Sequence, residues 1–172
     1  MHKQSGFTIV EMIIVIALLS IIAAVGIPNY LNWLPDIRLK AAARNVKSDM
    51  MLAQQRAIRE NASVAIVFSP GGNSYTVFVD NGAGGAAPND WDRTGTEELM
   101  KTEAMPTAVV MDLAAFGVDQ RVRFNGRGLP DQSGVVQLSN TKNIIRRINL
   151  SVVGRATIQI STDGGGTWSD GE

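Results

Sequence analysis

An apolar run at residues 7–27 constrains the fold of this chain more than any other feature, because it is 21 residues long and Glu11 is its one formal charge. An α-helix of that length extends roughly 31 Å at about 1.5 Å per residue. This length matches the roughly 30 Å hydrocarbon core of a bilayer. The sequence after residue 27 has the mixed polar and apolar composition of a water-soluble domain. We therefore expect a single-pass membrane anchor at residues 7–27 that carries a globular head.

Glu11 is the anomalous residue of the run. A lone carboxylate costs about 2.5–3.5 kcal/mol near the centre of a bilayer, and less near the interface. One interpretation is that Glu11 marks a frayed helix end. The other is that it has a cationic partner. If the chain is cut after Gly6, the new α-amine of Phe7 lies one helical turn from Glu11, and a neighbouring copy can supply the same amine. Such a pair would favour one axial register between assembling helices.

The hexapeptide from Gly6 to Glu11, Gly-Phe-Thr-Ile-Val-Glu, is followed by the apolar helix and by Ile-Pro-Asn-Tyr at residues 27–30. This pattern resembles the class III signal of type IV pilins and type II secretion pseudopilins. The resemblance implies that residues 1–6 are a leader, which prepilin peptidase removes between Gly6 and Phe7. It also implies N-methylation of the Phe7 amine and a role for Glu11 in docking the subunit into a filament. The implied partners are other pilins or pseudopilins, bound through this helix, and an inner-membrane assembly platform.

An ordinary secretory signal peptide is the rival interpretation, with Lys3 as its positive start and a cut near residues 23–26. Such a peptide has an apolar region of 7–15 residues. The run here is longer and contains Glu11, so the pilin-type signal is favoured. Lys3 then stays in the cytoplasm under the positive-inside tendency. The expected location is the bacterial inner membrane, with the head in the periplasm, and the filament, near its tip, after assembly.

Composition gives little support for chemistry in the head. The chain has 16 basic and 16 acidic residues, and removal of the leader with Lys3 leaves 15 against 16, a net charge of −1. The absence of Cys excludes disulfides and thiolate metal sites. The single His, His2, lies in the predicted leader, so the mature chain lacks the commonest general base and metal ligand. We predict no enzyme activity, no cofactor and no metal site; a membrane-anchored enzyme has only the unassigned loop at residues 81–96 in its favour.

A second helical stretch is predicted after a bend or break near residues 26–35, where Gly26, Pro28 and Pro35 interrupt the apolar run. Residues 28–60 form the periplasmic half of the predicted N-terminal helix. Asp36 is the expected N-cap and Asn61 the expected stop. Apolar residues recur at steps of three and four along one face: Leu39, Ala43, Val46, Met50, Ala53 and Ala57.

The pattern changes to period two after Asn61, which predicts a β-rich head at residues 61–161. Residues 70–73 are the expected hairpin turn, and Trp91 is the expected anchor of a long loop at 81–96. Residues 162–172 are Gly-rich and acidic, and we expect a mobile tail there. Seven or eight short strands after one helix indicate an α+β head with two small sheets arranged like a sandwich. The expected strands are 63–68, 74–80, 98–103, 109–113, 121–124, 135–139, 144–153 and 155–161.

The head also resembles the GspH/FimT minor pseudopilins and minor pilins over most of its length. The residues that carry this resemblance are Arg-Leu at 38–39, Gln-Gln-Arg-Ala-Ile-Arg at 54–59, Phe-Ser-Pro at 68–70, Tyr-Thr-Val-Phe-Val-Asp-Asn-Gly at 75–82, Phe-Asn-Gly-Arg-Gly at 124–128 and Gly-Arg at 154–155. The resemblance implies a pilin-like fold, in which the second half of a long N-terminal helix packs on a β-sheet head. It implies a structural subunit of a type II secretion pseudopilus or a type IV pilus, and the sequence does not choose between these two machines.

DNA binding during natural transformation is the alternative function, since several FimT-type minor pilins bind DNA through a C-terminal Gly-Arg-x-Arg element. The candidate contacts here are Arg146, Arg147 and Arg155. The corresponding element reads Gly-Arg-Ala-Thr at residues 154–157, so the second Arg is missing. Phosphate binding depends on clustered Lys and Arg, and this departure favours solvated charges over a DNA site.

Overall fold

The computed structural model describes residues 7–85, 87–117 and 119–171. The predicted leader at residues 1–6, with Gly6, lies outside the described residues. The chain divides into two compact units, Met1–Leu34 and Pro35–Glu172. Helix α1, Ile9–Glu60, contributes to both units and is 52 residues long.

In the N-terminal unit, α1 is exposed along the apolar run. It is the one helix in the described part of the chain that is long and apolar enough to cross a membrane, and its most apolar window of 18 residues has a mean hydropathy of 2.8 with none of it buried. The helix is continuous through Gly26, Pro28 and Pro35, so of the predicted bend or break the break does not occur, and the second helical stretch is part of α1. Each proline removes one backbone donor, and its ring crowds the carbonyl four residues before it, yet the helix continues past both prolines.

In the C-terminal unit, the second half of α1 buries the predicted apolar stripe. All six residues of that stripe are buried, and Ala42 and Asp49 join them. Asp36 is not an N-cap, because the helix does not begin there. Its carboxylate instead accepts hydrogen bonds from Asn140 Nδ2 at 2.7 Å and Lys142 Nζ at 3.0 Å.

The predicted helix stop at Asn61 is confirmed. Asn61 has a left-handed backbone with φ 48°, a conformation that Asn tolerates better than most residues. The Asn61 N–H donates to Ile58 O at 3.3 Å, and the Ala62 N–H donates to Ala57 O at 3.2 Å. These are the two bonds of a Schellman motif, which satisfies the last carbonyls of a helix.

Two antiparallel sheets follow the helix. The first has the order β3-β2-β1-β5 and the second has the order β4-β6-β7-β8-β9. Nine strands lie in the described part of the chain, against seven or eight expected, and the additional one is the two-residue β9. Their bounds are β1 Val64–Ser69, β2 Ser74–Val79, β3 Leu99–Ala104, β4 Val109–Phe116, β5 Arg121–Phe124, β6 Gly134–Asn140, β7 Ile145–Leu150, β8 Ala156–Ser161 and β9 Ser169–Asp170.

The predicted β1–β2 hairpin is confirmed, with Val64 opposite Val79 and Ser69 opposite Ser74. Its turn is a short 3-10 segment, Pro70–Gly72, followed by Asn73 in the left-handed region at φ 50°. The core of the head combines the buried face of α1 with the inner faces of both sheets. Phe68 of β1 stacks on Phe116 of β4 with ring centroids 5.4 Å apart, which joins the two sheets. The predicted α+β fold is therefore confirmed.

A polar group also lies inside this core. Asp49 of α1 is only 7% exposed. Its Oδ2 accepts a hydrogen bond from Tyr75 Oη of β2 at 2.5 Å and another from Lys101 Nζ of β3 at 2.8 Å. Glu103 lies 3.5 Å from the same ammonium group. The carboxylate thus connects the helix to two neighbouring strands of the first sheet.

Asp49→Ala should lower the free energy of unfolding by about 1–3 kcal/mol, because it leaves the buried Tyr75 hydroxyl without its acceptor. Tyr75→Phe removes the donor instead and should cost only about 1 kcal/mol, since Lys101 still pairs with Asp49. Chemical denaturation of the full chain in detergent micelles, followed by tryptophan fluorescence, measures both values. Lys40→Ala, at an exposed position of the same helix, is the control. If Asp49→Ala unfolded at the same denaturant concentration as Lys40→Ala, the contact assigned between Asp49 and Tyr75 would be contradicted.

The same cluster should make the head sensitive to alkaline pH. Burial, and then the hydrogen bond to Asp49, raises the pKa of Tyr75. The hydrogen bond to Asp49 is also the main cause that raises the pKa of Lys101. A group with a raised folded pKa contributes stability below its unfolded pKa and loses it as the pH rises through its folded pKa.

The free energy of unfolding should therefore fall as the pH rises above about 10, where unfolded Tyr and Lys titrate. Denaturation midpoints at about pH 8 and about pH 11 measure the fall. The fall should be smaller in Tyr75→Phe than in the unmodified chain. An identical pH dependence in the two proteins would show that Tyr75 makes no contribution.

Candidate processing and assembly site

The N-terminus of α1 is fixed by Thr8, which sequence reasoning overlooked. The Glu11 N–H donates to Thr8 Oγ1 at 3.2 Å, and the Met12 N–H donates to Thr8 O at 3.2 Å. Thr8 is thus the N-cap and Glu11 is the third helical residue. The Thr-x-x-Glu spacing is the signature of a capping box and was readable in the sequence. The cap places Glu11 in the first turn, where the helix dipole favours negative charge.

The surface around this cap is apolar and uncovered. Phe7 is 76% exposed and Ile9 is 80% exposed. Glu11 is also exposed, and no side chain in the described part of the chain contacts its carboxylate within hydrogen-bond or ion-pair distance. The structure therefore presents Phe7 and Glu11 one turn apart on an open helix end. Gly6, the other half of the predicted cleavage pair, lies outside the described residues.

The structure does not bring the three candidate DNA-contacting arginines onto one face. Arg146 and Arg147 are neighbours on β7, so their side chains point to opposite faces of the sheet. Arg146 shares its face with the buried Ile148, and its Nη1 donates to Gly171 O at 2.7 Å. Burial, and then the nearby Arg44, lowers the pKa of the Arg146 guanidinium.

The other two arginines have different surroundings. The Arg147 guanidinium lies 3.8 Å from the centroid of the Trp168 ring, and its Nη2 donates to Gln159 Oε1 at 2.6 Å. Arg155 is exposed, in the turn between β7 and β8. The three side chains therefore do not form the single basic cluster that the DNA-binding hypothesis requires.

Trp91 is an anchor of the long loop, as predicted. The guanidinium groups of Arg121 and Arg123 lie 4.7 Å and 4.3 Å from its ring centroid. Both belong to β5 and share one face of that strand, because side chains alternate along it. Arg123 also pairs with the buried Asp80 at 3.4 Å. These two cations therefore bind the loop to the sheet.

Three acidic residues near the same loop have a spacing that a metal ion could use. Carboxylate oxygens of Asp80, Asp90 and Glu97 lie within 4.8 Å of one another. However, Asp80 Oδ1 accepts a hydrogen bond from the Asn89 N–H, and Glu97 Oε1 accepts one from the Gly82 N–H at 2.8 Å. Hydrogen bonds within the loop account for the burial of Asp80 and Glu97, and the cluster closes the loop at its base.

The turn before β9 is a second feature that sequence reasoning missed. Asp163 Oδ1 accepts hydrogen bonds from Ser161 Oγ at 2.6 Å and from the Thr167 N–H at 3.0 Å, and Asp163 Oδ2 accepts one from Thr167 Oγ1 at 2.7 Å. These bonds hold the pKa of Asp163 well below its usual range, with the Ser161 bond as the largest cause. The available signal was the spacing Ser-x-Asp-x-Gly-x-Thr-Trp at residues 161–168. The tail at 162–172 thus contains a hydrogen-bonded turn and β9.

Comparison with known protein families gives two matches. The model of the family described as Type II transport protein GspH matches residues 42–169. The model of the prokaryotic N-terminal methylation motif matches residues 1–27. A fimbrial protein of Pseudomonas aeruginosa is 31% identical over 108 residues, which are 59% of this chain and 70% of that protein. Prepilin peptidase-dependent protein D of Escherichia coli K12 is 50% identical over 34 residues, 20% of this chain and 23% of that protein.

Solved structures show the same fold at low sequence identity. The minor pseudopilin EpsH of the Vibrio cholerae type II secretion system superposes with a TM-score of 0.54 at 10% identity, covering 70% of this chain and 95% of that one. The type IV minor pilin FimU of Pseudomonas aeruginosa PAO1 superposes with a TM-score of 0.51 at 10% identity, covering 76% and 92%. Because the GspH model spans most of the head and the methylation motif covers the apolar helix, this chain belongs to the GspH family of minor pseudopilins and minor pilins, a family of structural subunits.

Proposed function

We propose that this chain is held in the bacterial inner membrane by residues 7–27, with its head in the periplasm, and is transferred from the bilayer into a filament. Prepilin peptidase cleaves between Gly6 and Phe7, and the Phe7 amine is then methylated. The observation that supports this proposal is the uncovered apolar surface of α1, which begins at a capped helix end and carries Glu11, a carboxylate with no partner among the described residues. The subunit acts without catalysis of its own.

Glu11 is the docking residue in this proposal. A carboxylate without a partner in its own chain is costly in lipid, so an approaching subunit that supplies a cation gains free energy from the contact. The methylated amine of Phe7 on a neighbouring subunit is such a cation. An ion pair in a low-dielectric setting weakens steeply with distance. The pair therefore sets the axial register of one helix against the next, in a secretion pseudopilus or a type IV pilus alike.

Replacing Gly6 tests the processing step. Gly6→Trp should leave the full-length precursor in the membrane, because a large side chain beside the cleaved bond prevents access by the peptidase. Immunoblotting of membrane fractions measures the mobility shift that accompanies loss of the leader. Ser5→Trp puts the same side chain one position further from the cleaved bond and serves as the control. Normal maturation of Gly6→Trp would remove the pilin-type interpretation of residues 1–11.

Replacing Glu11 separates docking from processing. Glu11→Ala should be cleaved normally and remain in the membrane, while its amount in sheared filaments falls about tenfold or more, as expected for the loss of about 1.4 kcal/mol at each contact. Quantitative immunoblotting of sheared filaments and membranes measures the ratio.

Thr8→Val is the matched control, because it removes the N-cap hydroxyl and keeps the carboxylate. It should reduce filament content less than Glu11→Ala. If Thr8→Val and Glu11→Ala lowered filament content equally, Glu11 would be acting through helix capping and not through an intersubunit ion pair.

A further inference from the structure

A groove runs between α1 and β8 in the C-terminal unit, away from the processing site. Its larger part has a volume of about 680 Å³ and is lined by Met51 and Gln54 of α1, Arg155, and both Thr157 and Ile158 of β8. Thr157 and Ile158 point to opposite faces of the sheet. A cavity that contacts both lies at the edge of the strand and not over one face.

This edge of β8 is only partly covered. Strand β9 pairs with Gln159 and Ile160, and the Gly171 N–H donates to Ile158 O at 3.1 Å. Among the described residues, no strand lies beside residues 155–157 on that side. An uncovered strand edge offers backbone donors and acceptors to an extended segment of another chain.

The groove continues along α1 toward Arg44. A second part, of about 320 Å³, shares Lys47, Met51 and Ile158 with the first and extends to Arg44 and Ser48. Its floor is therefore apolar at Met51 and Ile158, and a cationic side chain lies at each end. An apolar floor with a few charged groups at fixed positions is the usual composition of a specific binding groove.

Positive charge predominates in the lining. Arg44 and Arg155 form no ion pair with a described residue, and both line the groove. Asp170 is the one carboxylate that the described residues contribute to the lining. Burial, and then the nearby Arg44, lowers the pKa of Arg146, while Asp36 raises it. The groove is thus complementary to an anionic ligand.

The two unpaired arginines have a defined separation. Arg44 and Gln54 are ten residues apart on α1, which corresponds to about 15 Å at 1.5 Å per residue. Gln54 adjoins the turn that carries Arg155, because a Cβ at Gly154 would lie 2.4 Å from Gln54 Nε2. An extended chain rises about 3.3 Å per residue, so about four or five residues span the groove from Arg44 to Arg155.

We propose that this groove binds an extended acidic segment of another filament subunit, with two carboxylates four residues apart that pair with Arg44 and Arg155. Side chains at positions i and i+4 of a strand lie on the same face, and the residue between them at i+2 contacts Met51. The identification of the bound segment as part of a filament subunit rests on the proposed function. The binding of an acidic segment to the groove does not depend on that function.

Single-stranded DNA is the competing anionic ligand, and the groove is less suited to it. Aromatic faces for base stacking are a main source of affinity for single strands, but the Arg147 guanidinium lies over the Trp168 ring. An acidic peptide needs only the two arginines and the apolar floor.

The test uses the full chain in uncharged detergent micelles and a fluorescein-labelled heptapeptide, Thr-Glu-Thr-Val-Thr-Glu-Thr, with blocked ends. Fluorescence anisotropy should show binding that weakens about tenfold or more when both Glu are replaced by Gln, and that weakens with added salt. A peptide with adjacent glutamates, Thr-Glu-Glu-Val-Thr-Thr-Thr, should bind more weakly than the spaced peptide. Equal binding of the two acidic peptides would overturn the spacing argument.

Protein variants then locate the site. The double variant Arg44→Glu with Arg155→Glu should weaken binding of the spaced peptide about tenfold or more. Arg93→Glu with Arg127→Glu changes the net charge equally at exposed positions outside the groove and should change binding less than about twofold. Amide chemical shifts of residues 155–158 should move on binding, which reports contact with the β8 edge. If the charge-reversal variant Arg44→Glu with Arg155→Glu fails to fold, the double variant Arg44→Gln with Arg155→Gln replaces it.

The outcomes separate the two proposals. A labelled single-stranded dodecanucleotide that binds in a groove-dependent way, while the peptide does not, would assign the groove to nucleic acid. Absence of binding, or binding that the groove variants leave unchanged, would overturn the site. If Glu11→Ala assembled normally, the proposed docking role of Glu11 would be wrong, and peptide binding to the groove would still be observed. The failure of one proposal is therefore distinguishable from the failure of the other.

Discussion

The core of the head depends on the buried face of α1, which packs in one cluster with residues of both sheets and is half alanine. Ala42, Ala43, Ala53 and Ala57 are each 3% exposed or less, and a larger residue at any of them would overpack the core. The same face carries the Asp49 carboxylate, which accepts hydrogen bonds from two strands of the first sheet. The position of this helix therefore places a buried carboxylate, that of Asp49, beside donors from the first sheet.

The sequence was informative wherever a short-range pattern determines structure. Period-three-and-four spacing identified the buried stripe of α1, and Asn61 marked its end because Asn tolerates a left-handed backbone. Asp49 was not identified, although its spacing from Val46 and Ala53 places it on the apolar face, because a charged side chain is rarely buried unless it is paired. Its burial depends on Tyr75 and Lys101, which lie 26 and 52 residues away along the chain, and only the folded sheet brings them together.

The errors came from local signals with more than one meaning. Pro28 and Pro35 can end a helix or only bend it, and α1 continues through both. The glycines at 164–166 are typical of an unstructured tail, but Asp163 organises them into a turn through four hydrogen bonds to its carboxylate. At the N-terminus, the functional motif was identified while the capping role of Thr8 within the same six residues was overlooked.

The cap at Thr8 has an electrostatic consequence for the proposed mature chain. Cleavage after Gly6 leaves a single residue, Phe7, before the N-cap, so the new ammonium group stands at the positive end of the α1 dipole. A helix dipole corresponds to roughly half a positive charge at that end, and it repels a cation there. The ammonium group is therefore destabilised in its own chain until an anion approaches it. Its position at the tip of a capped helix favours an anionic partner, and a Glu11 carboxylate, its own or that of a neighbour, is suited to be that partner.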